Sequence, residues 1–342
     1  MNAVSTRPST LTGVLRAHRR RVALLVLLVV ALVLPFIPPF TGEDYRRWLV
    51  GAAFMAAQAV AFDFTAGYIN IVNFGFAAFV GLGGYTSGLL AVDLGIPPIV
   101  GMLFGGLVSG FVGLLTGALT LRLRGIYAAV MAWFVGLALM GIVRNMPDIT
   151  RGSLGLAVPS LFDTSVGNLP YYYLILGMLV VTFAVLAWVI RSRFGLAFRA
   201  IGQNLASARA SGINPTRYLV INFVLSCAFA GWLGGFYAHY YGILTPDVML
   251  TSHTVEVLAI AYIGGRGSLW GAAVVAFPLS IGVEYVKVQF STLPGVHLVL
   301  YGLLLIIVMI YRPGGVAGLA RSLDDWWQRR SPATTAEAAR QA

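Results

Sequence analysis

Long apolar segments separated by short polar connections dominate the pattern of this chain. They fall at about 22–40, 48–66, 74–92, 97–120, 126–144, 171–190, 218–242, 253–264, 268–287 and 296–311. A helix needs about 20 apolar residues to cross a bilayer, so segment 253–264 is short and predicts a tilted, broken or re-entrant helix. The pattern predicts an all-α, polytopic integral membrane protein with about ten transmembrane or partly re-entrant helices.

The first apolar segment follows Arg19, Arg20 and Arg21, an arrangement that also fits a signal peptide. No small-residue cleavage pattern follows it, whereas prolines and further apolar segments do. We therefore favour a retained first helix. The expected regions are a cytoplasmic N-terminal segment 1–21, a transmembrane domain 22–320 and a partly disordered cytoplasmic tail 321–342.

Composition and charge agree with a membrane protein. Hydrophobic residues make up 58% of the chain and charged residues 10%, against about 25% charged residues in soluble domains. The net charge of +11 could indicate a nucleic-acid partner, but the basic residues lie at the ends of apolar segments. With the N-terminus inside, 18 Lys and Arg fall on the cytoplasmic side and five on the other. This bias predicts that both termini are cytoplasmic, with lipid and not nucleic acid as the surroundings.

The most polar internal stretch is the predicted cytoplasmic loop 191–217, which carries five arginines and no acidic residue. Within it, Asn204 to Ser211 has the length of about two helical turns. Gly212 and Pro215 then stop the helix, because glycine favours a helix C-terminus and proline cannot continue one.

Segment 97–120 carries small residues at every fourth position: Gly101, Gly105, Ser109, Gly113 and Gly117. This spacing places them along one ridge of a helix. In lipid such a ridge lets a neighbouring helix dock backbone to backbone, and we predict helix packing as its role. A sliding surface for transport is the alternative.

Segment 63–85 is interrupted by polar and helix-weakening residues. Broken helices of this kind recur at the substrate sites of transporters. The stretch Asn70, Asn73, Gly75 and Phe76 is therefore a possible translocation path, and an ordinary short loop between two helices explains the same residues equally well.

No sequence motif indicates catalysis, a bound cofactor or a metal. The phosphate-binding pattern GxxxxGK[ST] is absent and the only lysine is Lys287, so this chain is not expected to bind ATP in that manner. Intramembrane acids are functional candidates by default, and Asp63, Glu256 and Glu284 lie within or at the edge of spans. His253 and Glu256, three residues apart, would share a helix face and could suit a proton relay.

Several motifs, in order and spacing, resemble the permease subunits of branched-chain (hydrophobic) amino acid ABC importers over about residues 45–320. The motifs are Asn73-Phe74-Gly75-Phe76-Ala77-Ala78-Phe79 with Gly81, Gly83 and Tyr85; Leu121-Arg122-Leu123-Arg124-Gly125-Ile126-Tyr127; Thr150, Gly152-Ser153 and Gly155-Leu156; Ser192-Arg193-Phe194-Gly195; Arg199-Ala200-Ile201; Gly212-Ile213-Asn214; Thr216-Arg217-Tyr218; Ala230-Gly231 and Gly234-Gly235; Tyr237-Ala238-His239-Tyr240; Pro246-Asp247; Gly264-Gly265; Gly267-Ser268-Leu269-Trp270-Gly271; Tyr301-Gly302; and Arg312-Pro313.

The resemblance implies a transport subunit without its own ATPase site, located in a bacterial-type cell membrane and moving branched-chain or other hydrophobic amino acids. It also implies four partners: a second homologous permease, two ATPases that use the ATP, and an extracytoplasmic substrate-binding protein. The loop matching 199–217 would form the coupling helix that docks on an ATPase. Its residues are Arg199, Asn204, Leu205, Ala206, Ser207, Ala208, Arg209, Ala210, Ser211, Gly212, Ile213 and Asn214.

Two alternatives remain open. Related ABC permeases carry urea, amides or sugars, which would change the substrate but not the architecture. From another class, an ion-coupled secondary transporter could use His253 and Glu256 to couple transport to protons.

Overall fold

The computed structural model describes residues 26–38, 40–120, 123, 125–162, 166–290, 295–312, 314–319 and 322, and every structural statement below concerns these residues. The helices are α1 Val26–Phe36, α2 Glu43–Ala66, α3 Phe76–Leu94, α4 Pro98–Thr120, α5 Ile126–Arg144, α6 Pro147–Thr150, α7 Leu169–Arg191, α8 Arg193–Gln203, α9 Leu205–Ala210, α10 Pro215–Tyr241, α11 Thr251–Gly264, α12 Leu269–Gln289 and α13 Val296–Tyr311. Two short antiparallel strands, β1 Leu156–Ala157 and β2 Ile243–Leu244, pair Leu156 with Leu244.

Eight helices in the described part of the chain are long and apolar enough to cross a membrane. They are α2, α3, α4, α5, α7, α10, α12 and the candidate span Leu298–Leu319, which includes most of α13. The two remaining apolar segments correspond to the shorter helices α1 and α11. The prediction of an all-α polytopic membrane protein is confirmed. The predicted N-terminal segment 1–21 lies outside the described residues, as does nearly all of the tail 321–342, and the cytoplasmic side of the termini stays a prediction.

Helix α2 forms the centre of the bundle, where α7, α10, α11 and α12 pack around it. From Leu49 to Ala66 nearly every residue is buried, and alanine is the commonest residue type among them. A helix that is apolar on all sides is expected to be buried. Small alanine side chains allow the surrounding helices to approach closely.

Small residues also join α3, α4 and α10 in a seam. A Cβ added at Gly83 of α3 would overlap the backbone of Gly231 of α10, and one at Gly105 of α4 would lie 2.5 Å from the carbonyl oxygen of Gly83. Ser109 of α4 donates a 3.0 Å hydrogen bond to the carbonyl oxygen of Phe79. We call the contacts among Phe79, Gly83, Gly105, Ser109 and Gly231 the glycine seam.

The predicted ridge of α4 lies on its buried face. All five of its small residues are buried, and a Cβ at Gly113 would lie 2.7 Å from Cβ of Cys227. The opposite face carries exposed apolar side chains, such as Leu107 at 67% and Phe111 at 61% exposure. Such a face suits lipid or another membrane subunit.

Two crossings are interrupted. The connection 67–75 between α2 and α3 is not helical, and neither is most of the stretch 242–250 before α11. With 14 residues, α11 is about 21 Å long, shorter than a hydrocarbon core of about 30 Å. The stretch before it runs along α3, where Tyr85 Oη donates to the carbonyl oxygen of Leu244 at 3.2 Å and Gly81 leaves room for Met249.

The two interruptions come together at the first turn of α3. The backbone N–H of Ala77 donates a 3.0 Å hydrogen bond to Oγ1 of Thr254 in α11, and that of Gly75 donates to Oδ1 of Asn73 at 3.1 Å. Backbone groups outside regular helices need protein partners at membrane depth. The side chains of Asn73 and Thr254 supply such partners, and Thr254 joins the first turn of α3 to α11.

Candidate functional site: a projecting helix pair, a polar junction and a cavity

Helices α8 and α9 project from the bundle between α7 and α10, and their ends are defined by side-chain caps. Ser192 Oγ accepts the backbone N–H of Phe194 at 3.2 Å, and Asn204 Oδ1 accepts those of Ala206 and Ser207 at 3.0 Å each. Asparagine and serine are favoured helix caps for this reason. Gly212 then ends α9 with a φ of +80°, a backbone conformation that favours glycine.

Most residues of the predicted coupling loop lie on the surface of this pair. Leu205 and Ile213 are half-buried and Ala208 is buried, at 3% exposure. The exposed members are Arg199, Asn204, Ala206, Ser207, Arg209, Ala210, Ser211, Gly212 and Asn214. The pair thus presents a short exposed helix carrying the basic residue Arg209 and several small polar residues.

Aromatic contacts anchor α8 to the bundle. The ring of Phe198, which is fully buried, makes an edge contact with Phe64 of α2 at 5.7 Å between centroids. Its ring also meets Tyr218 of α10 at 6.3 Å. The guanidinium of Arg199 lies 5.8 Å from the ring centre of Tyr68 in the α2–α3 connection. Helix α8 therefore contacts α2, α10 and this connection through aromatic side chains.

A polar junction links the end of α8 to two distant parts of the chain. Asn70 donates from Nδ2 to the carbonyl oxygen of Gly202 at 2.5 Å and accepts a hydrogen bond at Oδ1 from the guanidinium of Arg266. Asp63, in the last turn of α2, accepts the backbone N–H of Gly267 at Oδ1 over 2.8 Å. We call Asp63, Asn70, Gly202, Arg266 and Gly267 the polar junction.

The junction connects α8, the α2–α3 connection and the turn between α11 and α12. Sequence reasoning singled out Asn70 and noted Asp63, but it missed Gly202, Arg266 and Gly267 as a group. An arginine between two glycines directly after a short apolar segment was the one local signal. Asn70 itself has a φ of +57°, and asparagine is among the few residues that tolerate this conformation.

The residues predicted as a translocation path are divided between two places. Asn70 belongs to the polar junction and is exposed. Asn73, Gly75 and Phe76 are buried among α2, α5 and α10: Asn73 is near Cys227, Gly75 fits against the carbonyl oxygen of Ala132, and the Phe76 ring meets Phe62 at 5.5 Å. None of the four lines the cavity described next, and their role in a path stays a prediction.

A cavity of about 530 Å³ lies between α2, α3, α10, α11, α12 and α13. It follows α2 from Asp44 to Gln58, which spans about 21 Å at the rise of an α-helix. The volume is within the roughly 300–1,000 Å³ typical of ligand sites. At the start of α2 the lining residues Asp44 and Arg47 are charged and exposed, and we call this end of the cavity its mouth. We call the opposite end, near the beginnings of α3 and α11, its floor.

The predicted pair of His253 and Glu256 lies on the wall of this cavity. Nδ1 of His253 and Oε2 of Glu256 are 3.7 Å apart. The Glu256 side chain is 4% exposed and that of His253 44%. At the mouth, Lys287 Nζ and Glu284 Oε1 are 2.9 Å apart. The cavity is therefore lined by one carboxylate at its floor, that of Glu256, and by two nearer the mouth, those of Asp44 and the lysine-paired Glu284.

Comparison with known proteins decides the family. The family of permease components of branched-chain amino acid transport systems matches residues 45–309. The chain belongs to this permease family. The resemblance found in the sequence motifs is thereby confirmed, and the permease is a multi-pass protein of the bacterial inner membrane.

Individual relatives agree with the assignment. The permease is 26% identical over 330 residues to the high-affinity branched-chain amino acid permease protein LivM of Salmonella typhimurium, covering 89% of this chain and 76% of LivM. It is 28% identical over 300 residues to LivH of Escherichia coli, covering 82% and 96%. A shorter similarity of 31% over 208 residues, covering 58% and 50%, relates it to the autoinducer 2 import permease LsrC of Klebsiella pneumoniae.

Proposed function

We propose that this permease is a transmembrane subunit of an ATP-binding-cassette importer that takes up branched-chain or other hydrophobic amino acids. The observation that carries the proposal is the capped, exposed helix pair α8–α9, which offers a docking element for an ATPase. The α9 helix is short, is stopped by Gly212 and is tied through α8 to the centre of the bundle.

In this proposal the energy comes from partners. Two ATPase subunits bind and hydrolyse ATP, a second homologous permease completes the membrane unit, and an extracytoplasmic binding protein delivers the substrate. The permease itself binds no ATP and catalyses no reaction. Family membership supports these partners, since relatives carry the description of a transport-system component.

In this proposal, the polar junction transmits movement from the ATPases to the membrane-spanning helices. When the ATPases close on ATP, α9 moves with them, and α8 transmits the displacement through Gly202 to Asn70 and Arg266. Arg266 and Gly267 begin the turn from the short helix α11 into α12, and Gly267 is held by Asp63. Such a transition is a shift between two packed arrangements of the bundle.

The relatives of this permease are described with different substrates. LivM and LivH are described as branched-chain amino acid permeases, whereas the shorter similarity is to a permease for autoinducer 2. We favour amino acids because the similarity to LivM and LivH covers more of this chain. Screening the cognate binding protein against amino acids, amides, urea and sugars tests this choice.

The docking proposal is tested by Gly212→Arg. A Cβ at Gly212 has no atom within 4 Å, so the added side chain meets no atom of the bundle, whereas the ATPase surface would meet it. The φ of +80° adds backbone strain, which the control below shares. We expect capture of the ATPase subunits by tagged permease to fall at least about tenfold. Replacing residues 204–211 by a Gly-Ser sequence should have the same effect.

Gly95→Arg is the matched control. Gly95 also ends a helix, has a φ of +63° and has no atom within 4 Å of an added Cβ, so it carries the same backbone strain and the same new charge. It lies between α3 and α4, away from α8 and α9. ATPase capture that is equal for both variants, with both folded, would contradict docking at α9.

A further inference from the structure

The exposed side of α7 changes from aliphatic to aromatic and then to basic residues towards its last turn. Val181, Val185 and Trp188 are exposed, Trp188 at 73%, and Arg191 is the exposed last residue of the helix. These residues are three or four positions apart and therefore lie on one face. Tryptophan is enriched at the membrane–water interface, and arginine is enriched at the cytoplasmic ends of spans. The order of residues on this face therefore matches a bilayer, from its acyl chains to its headgroups.

Helix α8 continues this surface with exposed apolar side chains. Phe194 is 41% and Leu196 66% exposed, and Arg193, three residues before Leu196, is exposed on the same face. In water such apolar side chains would stay uncovered, whereas a helix that carries both apolar and basic residues suits the plane of the membrane interface. We call Trp188, Arg191, Arg193, Phe194 and Leu196 the α7–α8 surface.

The chain between the two arginines is held by short-range contacts. Ser192 Oγ donates to the carbonyl oxygen of Val189 at 2.6 Å and accepts the backbone N–H of Phe194 at 3.2 Å. A Cβ added at Gly195 would overlap the backbone of Ile190, so α8 lies directly against the last turn of α7. The two arginines on either side of Ser192 therefore start from fixed backbone positions, which lowers the entropy lost when a ligand binds.

The charge of this surface indicates an anionic ligand. Arginine remains protonated, and its planar guanidinium matches the geometry of a phosphate group. Residues 164–246 contain no Asp or Glu, and within the described part of the chain no ion pair includes Arg191 or Arg193. Two neighbouring positive charges therefore lie beside exposed apolar side chains without a carboxylate partner among the described residues.

An anionic phospholipid combines the two kinds of contact. Its phosphate suits the arginines, and its acyl chains suit the valines and the tryptophan on α7. A soluble anion would leave Trp188, Phe194 and Leu196 uncovered, and a protein subunit would need carboxylates opposite both arginines. We infer that the α7–α8 surface binds the headgroup of an anionic phospholipid through Arg191 and Arg193. The inference depends neither on the transported substrate nor on ATPase partners.

Lipid binding measured by native mass spectrometry tests the inference. The full-length permease, purified together with the subunits that accompany it, is titrated with phosphatidylglycerol or with phosphatidylcholine. We expect Arg191→Gln and Arg193→Gln each to weaken phosphatidylglycerol binding about fivefold, and the double variant about 30-fold, because each arginine near a membrane surface contributes a similar attraction to anionic lipid. Binding of phosphatidylcholine, which carries no net charge, should change little.

Arg209→Gln is the matched control. It removes the same charge from an exposed arginine of α9, where Leu205, the only large apolar residue of that helix, is half-buried. Phosphatidylglycerol should therefore bind this variant as it binds the wild type. Trp188→Ala separates the apolar contact from the charge. Because Trp188 is largely exposed, the fold should remain while both lipids bind more weakly, and unchanged binding would contradict the apolar contact.

A photocrosslinker attached to Leu196→Cys identifies what covers this surface in native membranes, since Cys227 is buried and stays unlabelled. Crosslinking to phospholipid supports the inference, whereas crosslinking to another protein subunit overturns it. The inference is also overturned if the double variant binds phosphatidylglycerol as the wild type does, or if Arg209→Gln weakens binding as much as the double variant. Displacement of the lipid by inorganic phosphate would show a site for soluble anions instead and would equally overturn it.

Discussion

The glycine seam makes a quantitative prediction for Gly83→Ala. The added Cβ would overlap the carbonyl carbon, the carbonyl oxygen and Cα of Gly231. Non-bonded heavy atoms in contact are about 3.5–4.0 Å apart, so α3 and α10 must separate by about 1 Å or more. The clash cannot be relieved by rotation of a side chain, because the atoms of Gly231 that the new Cβ would overlap belong to the backbone.

Overpacking of a close-packed interior typically costs about 1–3 kcal/mol, and a backbone-to-backbone contact places Gly83→Ala at the upper end of that range. The same separation would lengthen the 3.0 Å hydrogen bond from Ser109 to Phe79 and the contact of Gly105 with Gly83. We therefore expect the apparent free energy of unfolding to fall by about 3 kcal/mol.

The assay is unfolding of the purified permease in mixed micelles with increasing SDS, followed by tryptophan fluorescence. Gly177→Ala in α7 is the control, since an added Cβ there meets no atom within 4 Å. Its free energy of unfolding should stay the same or rise by up to about 1 kcal/mol, because alanine favours a helix more than glycine does. Equal stability of the Gly83→Ala, Gly177→Ala and wild-type proteins would refute the close packing of the seam.

Three further changes test the junction and the docking helix. Asn70→Ala removes the hydrogen bonds to Gly202 and Arg266. The complex should still assemble, but the number of ATP molecules hydrolysed per substrate transported should rise. An unchanged ratio contradicts transmission of the ATPase movement through Asn70. Asp63→Leu leaves the N–H of Gly267 without its acceptor and should lower the free energy of unfolding by about 1–3 kcal/mol. Asp63→Asn keeps an acceptor oxygen and should lower the free energy of unfolding less. Asn204→Ala removes the cap of α9, which costs about 1 kcal/mol of helix stability. The affinity of the permease for the ATPase should therefore fall about fivefold. Asn204→Asp keeps the cap and should bind the ATPase as the wild type does.

Much of the architecture was predictable because membrane helices are determined by local composition. Each predicted apolar segment corresponds to a helix, and the short length of 253–264 indicated that α11 is not an ordinary span. Four-residue spacing placed the small residues of α4 on one face. The sequence did not predict which helices pack against that face. Gly83 and Gly231 lie far apart in sequence and come into contact only in the folded bundle.

In the candidate site, too, features formed within one stretch of sequence were predictable and features formed by several helices were not. Local signals identified the helix Asn204–Ser211, since a capping residue and a terminating glycine act within one turn. The cavity and the polar junction had no such signal, because each combines residues from several helices. Glu256 lines the cavity from α11, and the irregular chain before α11 packs along α3, where the absence of a side chain at Gly81 leaves room for Met249.

The central claim, that transport by this permease is driven by ATPase partners, is tested most directly in proteoliposomes. The permease is reconstituted with its partner permease and ATPases, the binding protein and leucine are added outside, and uptake is followed with and without enclosed ATP. We predict accumulation only with ATP, unchanged when ionophores remove ion gradients. Accumulation by the purified permease alone, driven by a proton or sodium gradient without ATP, would contradict the account.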